Sequence, residues 1–390
     1  MDIRTRQAMR RRKRQKQRRT LAVGALILAV LIAVLCFAFS GSEEASAPPE
    51  PTPTPEATAT PEPTPTPTPE PQTAEEFTAA MSLDDKLLQL FIVTADSLTG
   101  VENTTLYGGT SQRVISEKPV GGIMYTAGNI ESKAQLSSMI SNVQKQYTEE
   151  NGFPAFIVAE EEGGSVSPLA AAGLAVNVGD MSAFAEGENY DGAYAAGSAI
   201  GKYMKSLGFN MNLAPFCELS DGESPRSFGS DAETVSSMAV SVGDGMNSGG
   251  IIPVYNAFPG KTSSATLAEL EQKEFLPFQM AAANGAEAML VSANPEPVIT
   301  GSSVPCYTSS AAVTDILRTS LDFDGIIITA PLVSDESVVS AIEAGCDMLL
   351  MPKDLASAVA QLKSAVETGR ITEERINQSV RRIISLKLSM

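Results

Sequence analysis

Ala155-Phe156-Ile157-Val158-Ala159-Glu160-Glu161-Glu162-Gly163-Gly164 is an unbroken apolar run that breaks off into three acids and two glycines. A short apolar run bounded by a turn signal reads as a strand buried on both faces. The charges straight after it put polar chemistry at its C-terminal end. Working outward, similar runs occur at Gln89–Thr94, Gly121–Tyr125, Asn210–Ala214, Ile251–Tyr255, Ala288–Ser292, Gly325–Thr329 and Asp347–Met351, which makes eight strands. Between them lie segments with room for a helix: Ser132–Tyr147, Tyr190–Leu207, Asp231–Met246, Leu267–Asn284, Ala311–Leu321 and Asp354–Glu367. Ser82 with Asp85 resembles a helix start, and Gly152, Gly208 and Gly250 stand where helices should stop. Eight β/α units with long crossovers predict an α/β fold, a (β/α)8 TIM-like barrel. An open doubly wound sheet is the structural alternative, weakened because no Gly-x-Gly-x-x-Gly follows a strand.

Composition narrows the chemistry. The chain has no histidine, which excludes Ser/His and Cys/His nucleophile pairs and the common imidazole metal sites. No cofactor or metal is implied. Cys217, Cys306 and Cys346 read as small buried residues, with one disulfide left open.

Charge sets the expected topology. Residues 1–19 form a basic tail of ten Lys/Arg against Asp2, within a chain whose net charge is −18. Leu21 to Phe39 is a run of 19 apolar or small residues, close to the roughly 20 that span a bilayer as a helix. The positive-inside rule then predicts a single-pass transmembrane anchor over residues 20–40, with the N-terminus cytoplasmic and everything beyond it extracytoplasmic. A cleaved signal peptide is the competing reading, with Ala45-Ser46-Ala47 as the cleavage site, but its apolar stretch is usually shorter. Residues 41–73 are dominated by Pro, Thr and Glu, a composition that favours polyproline II, so about 25 residues would reach on the order of 75 Å. They predict a Pro/Thr-rich stalk that holds a domain spanning 74–390 away from the membrane. The strong acidity beyond the tail argues against nucleic acid as a partner.

In a barrel the functional residues should follow the strands. Glu160-Glu161-Glu162 does so after the third strand, Cys217-Glu218 and Arg226 after the fourth, and Asn256 and Lys261 after the fifth, whereas Ala330-Pro331 leaves the seventh empty.

At these positions the chain resembles the N-terminal barrel of glycoside hydrolase family 3, and within it the single-domain β-N-acetylhexosaminidases. The resemblance is carried, in order, by Leu83–Val93, by Pro119-Val120-Gly121-Gly122-Ile123 with Asn129-Ile130-Glu131, and by Phe156–Gly164. It continues through Leu207–Pro215 with Arg226-Ser227-Phe228-Gly229, and Phe258-Pro259-Gly260. It implies an O-glycosyl hydrolase ancestry and a carbohydrate partner such as peptidoglycan-type glycan. The departures fall on the chemistry. The family nucleophile, an Asp after the seventh strand, aligns with Ala330, and the family Lys-His pair aligns with Asn256 and Ala257. The hexosaminidase Asp-x-His acid/base has no counterpart in Lys261-Thr262-Ser263-Ser264. A retaining glycosidase needs both carboxyl functions, so the resemblance implies a degenerate enzyme kept for glycan binding or scaffolding. The alternative is an active hydrolase with a displaced pair such as Glu160 and Glu218.

Glu160, Glu162, Glu218 and Arg226 are the candidate substrate-binding residues, each with a plainer reading. Glu161 and Glu162 also fit solvated charges at a helix start, and Glu218 a loop-organising acceptor. Arg226 equally fits an ion pair with Glu218 or Asp231. Gly163-Gly164 is a weak phosphate-cradle signal, Asp335 beside Ser334 reads as a helix cap, Lys261 as solvated, and Arg381-Arg382 as surface.

Overall fold

The computed structural model describes residues 72–220, 224–261 and 264–390. The basic tail, the membrane span at residues 20–40 and the stalk as far as residue 71 lie outside the described residues. Among the described residues no helix is long and apolar enough to cross a membrane. The chain divides into two units at residues 70 and 71, and the second holds the described structure.

Eight parallel strands form one sheet: β1 Phe91–Thr94, β2 Gly122–Met124, β3 Phe156–Ala159, β4 Met211–Asn212, β5 Ile252–Phe258, β6 Ala288–Val291, β7 Ile326–Thr329 and β8 Leu349–Leu350. Seven of the expected runs each hold one of them, whereas β5 runs three residues past the expected end at Tyr255, so Asn256, expected after the fifth strand, lies within it. Neighbours in sequence pair in space from β1 to β7, and β8 returns to β1 through Phe91 with Leu349 and Ile92 with Leu350. Between β7 and β8 a parallel bridge joins Ile328 to Met348, and Thr329 N donates to Met348 O at 3.0 Å. The sheet thus returns on itself, and the open doubly wound alternative falls.

Both strand faces are covered, which is why strands such as Phe156-Ile157-Val158-Ala159 and Ile326-Ile327-Ile328-Thr329 are buried along their whole length. β4 is short, and side chains complete its pairing. Asn210 Nδ2 donates to Ala155 O at 2.8 Å while its Oδ1 accepts from Ile157 N at 2.7 Å. Asn212 clasps the Glu161 peptide in the same way, at 2.8 Å on each side.

Helix boundaries follow local chemistry. Ser82 accepts from Asp85 N, and Gly152 and Gly208 end the helices Lys133–Asn151 and Tyr190–Leu207 in the left-handed conformation. Thr73, expected in the stalk, caps the first helix, Ala74–Ala80. The expected helix over Leu267–Asn284 is instead two, Leu267–Gln272 and Leu276–Ala283, with Pro277 opening the second. Ala311–Ser320 winds as a π-helix rather than an α-helix.

The N-terminal end of the barrel is a stability face. Asp347, wholly buried ahead of β8, accepts from Arg318, from Arg382 at 3.2 Å and from Ser379 at 2.6 Å, with Arg375 at 3.9 Å. Arg382, expected at the surface, is 34% exposed there, and its guanidinium reaches inward to the buried carboxylate. Arg381, a third exposed, pairs with Glu374. Lys387 is buried with its ammonium 2.7 Å from Gln89 Oε1 and 5.2 Å from the rings of Tyr147, Phe153 and Phe156.

Candidate functional site: an arginine clamp at the barrel mouth

The acids after β3 split by side. Glu161 points back to the helix layer, where Tyr203 Oη donates to it at 2.7 Å and the amides of Leu169 and Ala170 at 2.9 and 3.2 Å. Burial raises its pKa, and those donors oppose the rise. Glu160 and Glu162, one residue to either side, meet Arg226 instead. Nε and Nη2 of Arg226 donate to the two oxygens of Glu162 at 2.6 Å each, and Nη2 also donates to Glu160 at 3.1 Å. The guanidinium face lies 4.4 Å from the centre of the Phe216 ring. Such a fork combines a charge-assisted bidentate bond with a cation–π contact.

Exposure within the clamp is graded. The side chain of Glu162 is 2% exposed, whereas those of Arg226 and Glu160 are 33% and 37% exposed. Burial raises the pKa of Glu162 against the lowering pull of Arg226. The pKa of Arg226 rises, first through its hydrogen bond to Glu162. Glu161 and Glu162 are thus not solvated charges, and Arg226 pairs with neither Glu218 nor Asp231. Asp231 caps the helix Ala232–Ser248.

Glu218 does not organise its loop through its carboxylate, which receives no hydrogen bond among the described residues. The loop is held by its carbonyl, which accepts from Ser227 Oγ at 2.8 Å. Burial raises the pKa of Glu218, offset by the charges of Lys261 and Arg226. Lys261 itself is exposed. A Cβ placed on Gly260 would lie 3.8 Å from Cγ of Glu218 and 3.8 Å from Cγ of Glu274, so these acids flank the turn after β5.

Asn256, only 8% exposed, sits late in β5 and bridges in parallel to Phe216. Ala257 follows across a cis peptide. Ala330 continues β7, its N–H donating to Val291 O at 2.8 Å, and it presents a methyl group at the strand's C-terminal end. Asp335 is no helix cap, since its carboxylate accepts from Lys353 N at 3.1 Å. The Gly163-Gly164 turn is covered by its own chain: a Cβ on Gly164 would meet Asp180 at 2.0 Å and one on Gly163 would meet Met181 at 2.7 Å. That closeness leaves no phosphate cradle. Cys217, Cys306 and Cys346 are free and buried, and burial pushes the thiols of Cys306 and Cys346 up to about 12. Among the described residues no cluster of His, Cys, Asp and Glu is arranged to hold a metal ion.

The clamp's composition was legible but its pairing was not, because the partners are 64 and 66 residues apart in sequence. Sequence reasoning missed Phe216 and Glu274 altogether; an aromatic two residues past the expected end of the fourth strand was the one available signal for Phe216.

A parallel α/β barrel with a charged cluster on its C-terminal rim defines the class, a barrel whose βα loops carry function. Within that class the chain belongs to glycosyl hydrolase family 3, whose N-terminal domain matches residues 82–386. It is 26% identical over 326 residues to beta-hexosaminidase A of Pseudoalteromonas piscicida, with 71% of this chain and 54% of that protein covered. It is 25% identical over 344 residues to beta-hexosaminidase LpqI of Mycobacterium tuberculosis, covering 79% and 84%. The family 3 beta-N-acetylglucosaminidase structure from Paenibacillus sp. str. FPU-7 superposes with a TM-score of 0.70 at 29% identity, over 79% of this chain and 62% of that one. The chain thus spans little more than half of some curated relatives and most of others.

Proposed function

We propose that this protein binds an N-acetylhexosamine-type glycan, such as peptidoglycan, through the mouth of its family 3 barrel, with hydrolysis lost or severely reduced. The observation that carries the reading is Ala330 directly after β7, the position at which the resemblance in sequence expects the family's nucleophilic Asp. A methyl group cannot attack an anomeric carbon, and loss of a nucleophile removes several powers of ten in rate because catalytic groups act as a unit. Asn256 and Ala257 in place of Lys-His support the same conclusion.

The displaced-pair alternative is disfavoured by the clamp. In such a pair Glu218, which receives no hydrogen bond among the described residues, would be the acid and Glu160 the nucleophile, and the charge of Glu160 is already engaged by Arg226 at 3.1 Å. The anchor at residues 20–40, with the barrel outside the cell, belongs to this proposal and is supported by the basic tail and the length of the apolar run.

Full-length protein incubated with an aryl N-acetyl-β-glucosaminide and with wall fragments tests it. The expected result is no turnover above background, together with a rise in melting temperature with at least one glycan. Steady turnover that Glu160→Gln or Glu218→Gln abolishes would overturn it.

A further inference from the structure

Hydrogen-bonding capacity at the barrel mouth is lopsided. Arg226 gives three hydrogen bonds to Glu162 and Glu160. Acceptors remain in excess. Half-buried Glu218 receives no donor among the described residues, and one oxygen of Glu274, on the other side of Gly260, is buried without a partner. Buried polar groups in folded proteins are almost always satisfied.

Asn256 is an independent sign. It is more than nine-tenths buried, at 8% exposure, and its side-chain amide has no hydrogen-bond partner among the described residues. Its direction follows from two neighbours. Tyr255 turns outward, its hydroxyl 2.1 Å from where a Cβ on Gly243 of the helix Ala232–Ser248 would stand. Side chains alternate along a strand, so Asn256 turns the other way, into the barrel. It also bridges to Phe216, whose ring carries Arg226. The unpaired amide therefore opens on the same mouth as the clamp.

Charge decides what kind of ligand suits these acceptors. Glu160, Glu162, Glu218 and Glu274 stand against Arg226 and Lys261, an excess of carboxylates over cations. An ammonium brings three donors and a compensating charge to such a site. An acetamido group brings one neutral N–H, and a lactyl carboxylate brings repulsion.

Resting on the reading that the mouth binds a hexosamine glycan, and narrowing it to the de-N-acetylated units of such a glycan, we propose that the mouth selects an amino sugar with a free ammonium group, a glucosaminyl unit, over its N-acetylated and acidic counterparts. The ammonium sits against Glu218 and Glu274, and Asn256 takes a neighbouring hydroxyl.

Isothermal titration of the full-length protein with β-1,4-linked diglucosamine, its di-N-acetyl form and an N-acetylmuramic acid disaccharide, at a pH where the amine is charged, tests the selection. Diglucosamine should bind about tenfold more tightly than the acetylated sugar, with the muramyl sugar weakest. Glu218→Gln should cut that preference to about threefold or less, while Glu117→Gln, an exposed acid paired with Arg113, should leave it unchanged. Asn256→Leu should weaken diglucosamine, and melting curves of each variant verify folding. Equal or tighter binding of the acetylated sugar overturns the proposal and leaves the glycan reading standing; no binding of any sugar brings down both. A preference that survives Glu218→Gln is diffuse attraction to an acidic protein and also overturns it.

Discussion

Replacing Arg226 by Ala removes the only cation among the described residues that is hydrogen-bonded to Glu162, whose side chain is 2% exposed. Stranding a buried charge costs about 3–5 kcal/mol when both partners are interior. Arg226 is 33% exposed, so water can reach part of the space it vacates and the figure must be discounted. About 2–3 kcal/mol at pH 7 is the expected loss. The penalty depends on pH with a definite sign. Burial already raises the pKa of Glu162 and Arg226 opposes that rise, so the variant's Glu162 titrates higher still. A carboxyl whose folded pKa exceeds its unfolded value destabilises once ionised, and the penalty fades as pH falls through the folded pKa towards the unfolded one. Urea unfolding of Arg226→Ala at pH 7 and near pH 4.5 should show the gap to wild type narrowing by half or more. The residue left at low pH is lost packing on Phe216. Adding Glu162→Gln should recover part of the loss at pH 7, as expected for partners in contact. A cost below about 0.5 kcal/mol at pH 7, a cost independent of pH, or strict additivity in the double variant would refute the clamp as drawn.

Two further predictions concern the opposite end of the barrel. Asp347→Ala leaves Arg318, Arg375 and Arg382 facing one another without their shared carboxylate and should cost about 3–5 kcal/mol, seen as a large fall in melting temperature; a loss within experimental scatter would show that the three arginines find other acceptors. Burial lowers the pKa of Lys387 well below its ordinary value, and a base with a depressed folded pKa loses stability as pH falls. Relative to wild type, Lys387→Met should therefore look best at pH 7 and progressively worse as pH rises towards 10; a difference flat across that range would contradict it.

Local pattern carried the fold. Eight apolar runs such as Phe156–Ala159 and Ile326–Thr329, separated by helix-length segments, fix strand number and order, because burial on both faces leaves its mark residue by residue. The rim position of Glu160, Glu218 and Ala330 follows from the same pattern, since what comes directly after a barrel strand must lie at its C-terminal end. Tertiary structure alone decided who pairs with whom. Arg226 chose Glu162 across 64 residues of sequence rather than the nearer Glu218 or Asp231, and Lys387 reached Gln89 across 298. Arg382 is a third exposed, as a surface residue would be, and only the fold shows that its guanidinium pairs with the buried Asp347 beneath it. Electrostatic partners are set by three-dimensional distance and by burial, to which sequence spacing is blind beyond a helical turn or a strand pair.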